Sequence, residues 1–345
     1  MYVFRTVYIR VMIMENRLPG SPGLENLDGA TFVVTGGTGS FGQTLIRHLL
    51  NTSVSRIMCF SRDESKQHGL QQIHKDPRLE FVLGDVRDIN SVAQALRGAD
   101  FLFHAAALKH VPAGEANSWQ FVMTNVMGSH NVIEALAKSS VKKAVFLSTD
   151  KAVMPLNSMG MTKSLMEKMV QSEVKNGNSK NVITRYGNVI GSRGSVIPQF
   201  IANIKNGDQL SVTNYGMTRF MMTLDESVDL VMYALFNGDA GDLFVQKSPA
   251  ATVSVIIEAL EIILQRKAIH SKEKGIRPGE KIHETLLTAE ERSKSVEGDR
   301  YFHVKSQSLH ERENMQDYTS DTTKILDAAS LAELLAKTPE IKALL

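Results

Sequence analysis

The chain has 345 residues, 43% of them hydrophobic and 22% charged, with a formal net charge of +2. That describes a globular chain long enough for one large domain with a lobe, or for two domains. The near-neutral charge excludes a general polyanion-binding role, nucleic acid included, and no apolar run reaches the ~18 residues of a membrane span.

Residues 1–28 join an apolar stretch broken by Arg5 and Arg10 to the breaker-rich Leu18-Pro19-Gly20-Ser21-Pro22-Gly23. They lack the charge-free core of a secretory signal and are expected outside the core fold, disordered or the product of an upstream start. Strands are then predicted at 31–35, 56–60, 79–83, 101–104, 144–148 and 181–186. Helices are predicted between them near 41–50, 64–74, 90–97, 117–138 and 158–174. This alternation argues for an α/β fold, a Rossmann-type doubly wound parallel sheet. After about residue 190 the pattern loosens, with helices near 196–206, 225–236, 252–265 and 329–336 and short strands at 209–212 and 243–246. That reads as a smaller C-terminal lobe, mostly 191–345, over a first domain of 29–190. The polar stretch 303–318 is expected on the surface. The single cysteine, Cys59, forms no internal disulfide and fits a reducing, cytoplasmic setting.

Between the first strand and the first helix lies Thr35-Gly36-Gly37-Thr38-Gly39-Ser40-Phe41-Gly42. Strand, glycine turn and helix start in that order make a pyrophosphate cradle. Glycines admit the phosphate close to the backbone, and the helix N-terminus offers unpaired N–H groups. Gly36, Thr38, Gly39, Ser40, Phe41 and Gly42 are therefore assigned to a dinucleotide. The second strand ends in Ser61-Arg62-Asp63, with Lys66 one turn on. Arg62 and Lys66 suit a 2′-phosphate, helped by the Ser61 hydroxyl; Asp63 argues mildly the other way. NADP is favoured over NAD, the bland alternative being a solvated charge cluster. After the third strand, Asp85 of Gly84-Asp85-Val86 is placed to accept from the adenine amino group.

The fifth strand ends Ser148-Thr149-Asp150-Lys151, and the next helix carries Met159 and Lys163 at an i, i+4 spacing that shares one face. Short-chain dehydrogenases/reductases carry Tyr-x-x-x-Lys there; methionine cannot move a proton, so the usual base is absent. Further segments are Ala105 to Pro112, Thr124-Asn125-Val126, Arg185-Tyr186-Gly187-Asn188-Val189, Ser192 to Pro198, Met217-Thr218-Arg219-Phe220-Met221-Met222-Thr223, Arg277-Pro278-Gly279-Glu280-Lys281 and Tyr318 to Asp321. With these the chain resembles the extended short-chain dehydrogenases/reductases, within the UDP-N-acetylglucosamine 4,6-dehydratase/5-epimerase group of capsule and O-antigen synthesis, CapD-like polysaccharide biosynthesis proteins.

The resemblance implies an NADP-dependent lyase with C5 inversion acting on a UDP-N-acetylhexosamine, and a homo-oligomer, a hexamer. It implies Lys151 as the C5 base, Asp150 as the acid at O6, and Lys163 and Thr149 as further catalytic residues. A basic lysine needs a pKa depressed by desolvation or a neighbouring cation. Val86, Ala105, Ala106, Lys163, Tyr186 and Asn188 would join the cofactor site. Lys109, Asn188, Arg193, Arg219, Arg277 and Glu280 would meet the substrate, Arg219 and Arg277 at the diphosphate. No metal is implied. Val111-Pro112-Ala113-Gly114-Glu115 departs from the family's Val-Pro-Ser-Cys-Glu, which leaves the sugar open. The rival readings are a UDP-sugar 4-epimerase, which needs no C5 base, and a non-catalytic NADP-binding protein.

Overall fold

A computed structural model describes residues 27–345, apart from 174–178, 267–268 and 307–312. Most of residues 1–28 and the middle of 303–318 therefore lie outside the described residues. Six parallel strands open the fold: β1 (Thr31–Thr35), β2 (Arg56–Ser61), β3 (Leu79–Leu83), β4 (Phe101–His104), β5 (Lys143–Leu147) and β6 (Lys180–Arg185). They lie in the order β3-β2-β1-β4-β5-β6, and the sheet continues through Leu243–Gln246, Tyr301–Val304 and Ser295–Glu297. Leu243–Gln246 is parallel to β6; the last two strands are antiparallel additions. The order reverses between β1 and β4, where Thr35 pairs with His104. That switch point leaves a crevice at the strands' C-terminal ends, where ligands bind in such sheets.

Continuous apolar runs such as Phe32-Val33-Val34 and Ala144-Val145-Phe146 are buried on both faces, as a helix-covered parallel sheet requires. Helices Ser40–Leu50 and Leu224–Asn237 cover one face, packing Leu45, Ile46, Leu49, Val228 and Val231 against Phe32 and Phe103. Gly128–Ala137 and Ser158–Ser172 cover the other, through Val132, Leu136, Met166 and Val170. A separate core of Ile197, Ile201, Ile204, Leu210, Leu260, Leu331 and Leu335 forms the lobe. The lobe carries a sheet of Asn188–Val189, Thr218–Met222 and Ala250–Thr252.

Three expectations change. The helix foreseen at 117–138 is interrupted: Ser118–Phe121 runs into a π-wound segment, Val122–Met127, before Gly128–Ala137. Asn125, inside that segment, clips the turn after β4, accepting from Leu108 N–H at 2.8 Å and donating to its carbonyl at 2.9 Å. The start and end of 303–318 are not surface chain: Val304 completes a sheet strand and Tyr318 is buried. The chain after residue 190 also returns to the first sheet rather than building only the lobe. Among the described residues no helix is long and apolar enough to cross a membrane.

Candidate active site

The glycine loop joins β1 to helix Ser40–Leu50. Gly36 has φ +69°, and a Cβ there would stand 2.8–2.9 Å from the backbone of Ala105 and Ala106. Ala105–Ala106 thus floor the loop, Ala105 N–H donating to the Thr35 carbonyl at 3.1 Å. Gly42 lets the helix settle on Gly37, whose Cα would lie 2.6 Å from an added Cβ. Gly39 caps the helix without any side-chain bond, so the first-turn N–H groups stay available to an anion. Phe41 packs into the core beside them.

The adenosine end differs from expectation in detail. Ser61 Oγ is 2.8 Å from Thr38 Oγ1 and buried, so it ties β2 to the loop instead of facing a phosphate. Asp63 caps helix Glu64–Ile73, accepting from Lys66 N–H at 2.9 Å and pairing with Lys66 Nζ. Its carboxylate is taken and does not mark a free 2′-hydroxyl site. Arg62 and Lys66 are each 51% exposed at the rim. Asp85 turns to Arg87, accepting from Nη2 at 2.6 Å, with Arg62 at 3.7 Å; sequence reading missed Arg87. Val86 is buried, and its carbonyl accepts from Asn131.

Arg193 also moves. Its Nη2 donates to the Thr38 carbonyl and its N–H to Ser40 Oγ at 3.1 Å, so it lies over the cradle, while its charge, after burial, helps lower the pKa of Lys109. Gly194 lies against His110, beside exposed Lys109.

At the end of β5, Thr149 caps a short 3₁₀ turn, Asp150–Ala152. Asp150 is fully buried; Oδ1 accepts from Thr149 Oγ1 at 2.8 Å and Lys151 Nζ at 3.0 Å, and Oδ2 has no partner. Tyr186 holds the turn through its carbonyl, 3.0 Å from Asp150 N, and burial raises its phenol's pKa. Lys151 Nζ also lies 3.3 Å from Glu284 Oε1, a carboxylate the sequence did not flag. Burial alone would lower the Lys151 pKa, but Asp150 and then Glu284 outweigh it and raise it; at rest the amine is a paired ammonium.

The lysine with a depressed pKa is Lys163, lowered to about 8 by burial, partly offset by Glu167. Its Nζ bond is a weak one, to Met166 Sδ at 3.2 Å, and Met159 lies buried one turn earlier. Thr124 Oγ1, Ser148 Oγ and Asn188 Oδ1 are buried without partners. An anion-ready helix start at the switch point, with orphaned polar atoms in the π-wound segment and past the ends of β5 and β6, fits a bound dinucleotide.

Arg219 is the largest departure on the substrate side. It donates to the carbonyls of Thr218 (2.7 Å), Lys281 (3.0 Å) and Ile282 (3.1 Å), with Glu284 at 3.8 Å. Its fork is spent inside the protein, so it buttresses segment 281–284 and is not free for a diphosphate. Arg277 is 57% exposed, 3.9 Å from Glu280, whose Oε2 is buried and unpaired. Asn157 fixes their turn through the Gly279 carbonyl at 2.8 Å. Cys59 is inert, burial pushing its thiol up to about 12. Among the described residues no His, Cys, Asp or Glu group is arranged to hold a metal.

A β3-β2-β1-β4-β5-β6 sheet, a glycine cradle and an acid–lysine pair past β5 define an enzyme of the nucleotide-sugar dehydratase/epimerase group of extended short-chain dehydrogenases/reductases. The chain belongs to the family described as "Polysaccharide biosynthesis protein", whose model matches residues 32–306. A protein named UDP-glucose 4-epimerase from Rickettsia rickettsii (strain Sheila Smith) is 42% identical over 324 residues, covering 88% of this chain and 95% of its own. Among solved structures, Pen from Bacillus thuringiensis matches with TM-score 0.86 and 32% identity over 92% of this chain and 99% of its own. DesIV from Streptomyces venezuelae, a dTDP-glucose 4,6-dehydratase with NAD bound, shares the fold at TM-score 0.68 and 23% identity, over 73% and 86%.

Proposed function

We propose that the protein is an NADP-dependent UDP-N-acetylglucosamine 4,6-dehydratase that inverts C5. The observation that carries this is the Asp150–Lys151 pair, buried at the end of β5 with Asp150 Oδ2 unpartnered. When bound, the nicotinamide would take hydride from C4 and give it back at C6, while the C4 hydroxyl gives its proton to Thr149 or to water relayed to Lys163. The chain's residues supply the protons between. Transfer of one proton from Lys151 Nζ to Asp150, across 3.0 Å, makes an amine and a carboxylic acid together. The amine takes the C5 proton, which the 4-ketone acidifies. The C5–H electron pair becomes the C5=C6 bond, the C6–O bond breaks, and Asp150 protonates the departing oxygen as water. The pair ends as the ion pair it began as, and a solvent-derived proton delivered to C5 on the face opposite Lys151 would give inversion. Lys163 is suited to the nicotinamide ribose, and Arg62 and Lys66 to the 2′-phosphate.

The homo-oligomer implied by resemblance has support in exposed Trp119, Met127, Met161 and Leu165 on neighbouring helices. A second reading, a UDP-glucose 4-epimerase, has support in the names of the Rickettsia relatives. Against it, an epimerase has no use for a C5 base, whereas the C4 hydroxyl must lose its proton in either reaction, so Met159 does not separate the two. Incubation with UDP-N-acetylglucosamine and NADP⁺ in deuterated water, followed by NMR, decides. A C6 methyl with deuterium at C5 is expected; a C4 epimer with C6 intact establishes the epimerase.

A further inference from the structure

Glu284 belongs to no motif that identified the site, yet it is the second carboxylate on the amine assigned to C5. Its side chain is 3% exposed, Oε1 is 3.3 Å from Lys151 Nζ, and Oε2 is buried without a partner. The residue is held hard. Its N–H donates to Ser320 Oγ at 2.9 Å, and its carbonyl accepts from Ser320 N–H at 2.8 Å. Ser320 Oγ in turn lies 2.6 Å from Thr218 Oγ1, which contacts His283 Nδ1 at 2.8 Å. Arg219 braces the same segment through the carbonyls of Lys281 and Ile282. A buried glutamate whose backbone is fixed this firmly, with Oε1 against a lysine from another part of the fold, can act as a bracket.

We propose that Glu284 is a positioning residue that aims Lys151 and, with Asp150, sets when its amine is free to act as a base. The claim rests on the reading of Lys151 as the C5 base. With carboxylates on both sides, Nζ is restrained near the end of β5 and holds its proton until Asp150 accepts it. The charged groups acting on Lys151 are Asp150 from its own turn, Arg219 from strand Thr218–Met222, and Lys281 and Glu284 from the segment beyond. Asp150 and Glu284 raise the lysine's pKa, while Arg219 lowers it. Removing the Glu284 charge therefore moves the appearance of free amine to lower pH.

The test uses the full-length enzyme with NADP⁺, as parent, Glu284→Gln and Glu284→Asp. Two readouts are followed against pH: acylation of Lys151 by acetic anhydride, quantified by mass spectrometry, and deuterium entry at C5 of the UDP-sugar product. In Glu284→Gln both midpoints are expected to fall by about one pH unit or more. Glu284→Asp, which keeps the charge but withdraws it by one methylene, should shift the same way by less, and it serves should the glutamine variant fail to fold. Midpoints matching the parent in the folded variants overturn the proposal. If no C6 hydroxyl is lost, the dehydratase reading fails, while the acylation midpoint still decides the role of Glu284.

Discussion

The cofactor end and the chemical end of the site use charge in opposite ways. At the cofactor end, Arg62 and Lys66 stand half in water, and the loop relies on backbone shape and a bare helix start. Exposed pairs there are worth little to the fold. At the end of β5, Asp150, Lys151 and Glu284 are packed between the sheet and the lobe, with two carboxylate oxygens unsatisfied. Buried charges of this kind cost stability and are expensive to disturb singly. On the proposed assignments the contrast would separate binding from chemistry: altering the cradle should leave the Asp150–Lys151–Glu284 cluster in place, and the reverse.

The sharpest break in that contrast is Lys151→Ala. Turnover should fall by about 10²–10⁴-fold, the usual contribution of an acid–base group. NADP binding, followed by cofactor fluorescence, should persist because no cradle residue touches Lys151. Near-parental turnover removes Lys151 from the mechanism. The complementary substitution is Gly36→Ala. It puts a Cβ at φ +69° and within 2.9 Å of the Ala105–Ala106 backbone. Destabilisation of roughly 2–4 kcal/mol is expected in denaturant melts, with loss of cofactor affinity. A variant that melts and binds as the parent does would show that the loop shifts freely.

Between the two regions stands His104, fully buried, 2.8 Å from Thr35 Oγ1 and 3.1 Å from Ser129 Oγ. Burial, with Lys163 nearby, lowers its pKa from 6.5 to about 3. Above pH 6.5 the ring is neutral both folded and unfolded. As pH falls from 6.5 towards 3 only the unfolded chain takes up the proton, so stability drops by roughly 1.4 kcal/mol per pH unit. Melting temperatures between pH 7 and 4 should show this slope in the parent and a shallower one in His104→Gln. Equal slopes place the acid sensitivity elsewhere.

How far the sequence could be read follows the same division. The cradle is local: strand, glycine turn and helix are consecutive, and the structure places Thr31–Thr35 and Ser40–Leu50 at or within a residue of the predicted bounds. Apolar runs and 3.6-residue periodicity carry such elements. The chemical end is assembled from far-apart segments. Asp150 and Lys151 were assigned through the family resemblance of the segment that ends β5, but nothing local singles out Glu284, and nothing in Met-Thr-Arg-Phe-Met-Met-Thr says that Arg219 spends its fork on carbonyls. Tyr301–Val304 was hidden likewise: a four-residue strand flanked by Arg300 and Lys305, defined by pairing with Leu243–Gln246. The π-wound turn at Val122–Met127 escapes periodicity because Asn125, not the apolar pattern, ties it to Leu108.

The smallest effect tests the exposed end. Arg62 is 51% exposed, 3.7 Å from Asp85, which Arg87 already holds. Losing its guanidinium should leave the melting temperature unchanged, since a solvated pair contributes at most about 1 kcal/mol. It should lower affinity for NADP by about tenfold, one charge-assisted contact's worth, and leave NAD untouched, because only the 2′-phosphate separates the two. Salt adds a second check. An exposed guanidinium is screened within a Debye length of about 8 Å at physiological ionic strength, so the preference for NADP proposed for the parent should narrow as salt rises, and that of Arg62→Ala should narrow less. Equal losses for both dinucleotides would place Arg62 on the shared adenosine or pyrophosphate, leaving Lys66 and Arg87 as the cations to test for the 2′-phosphate.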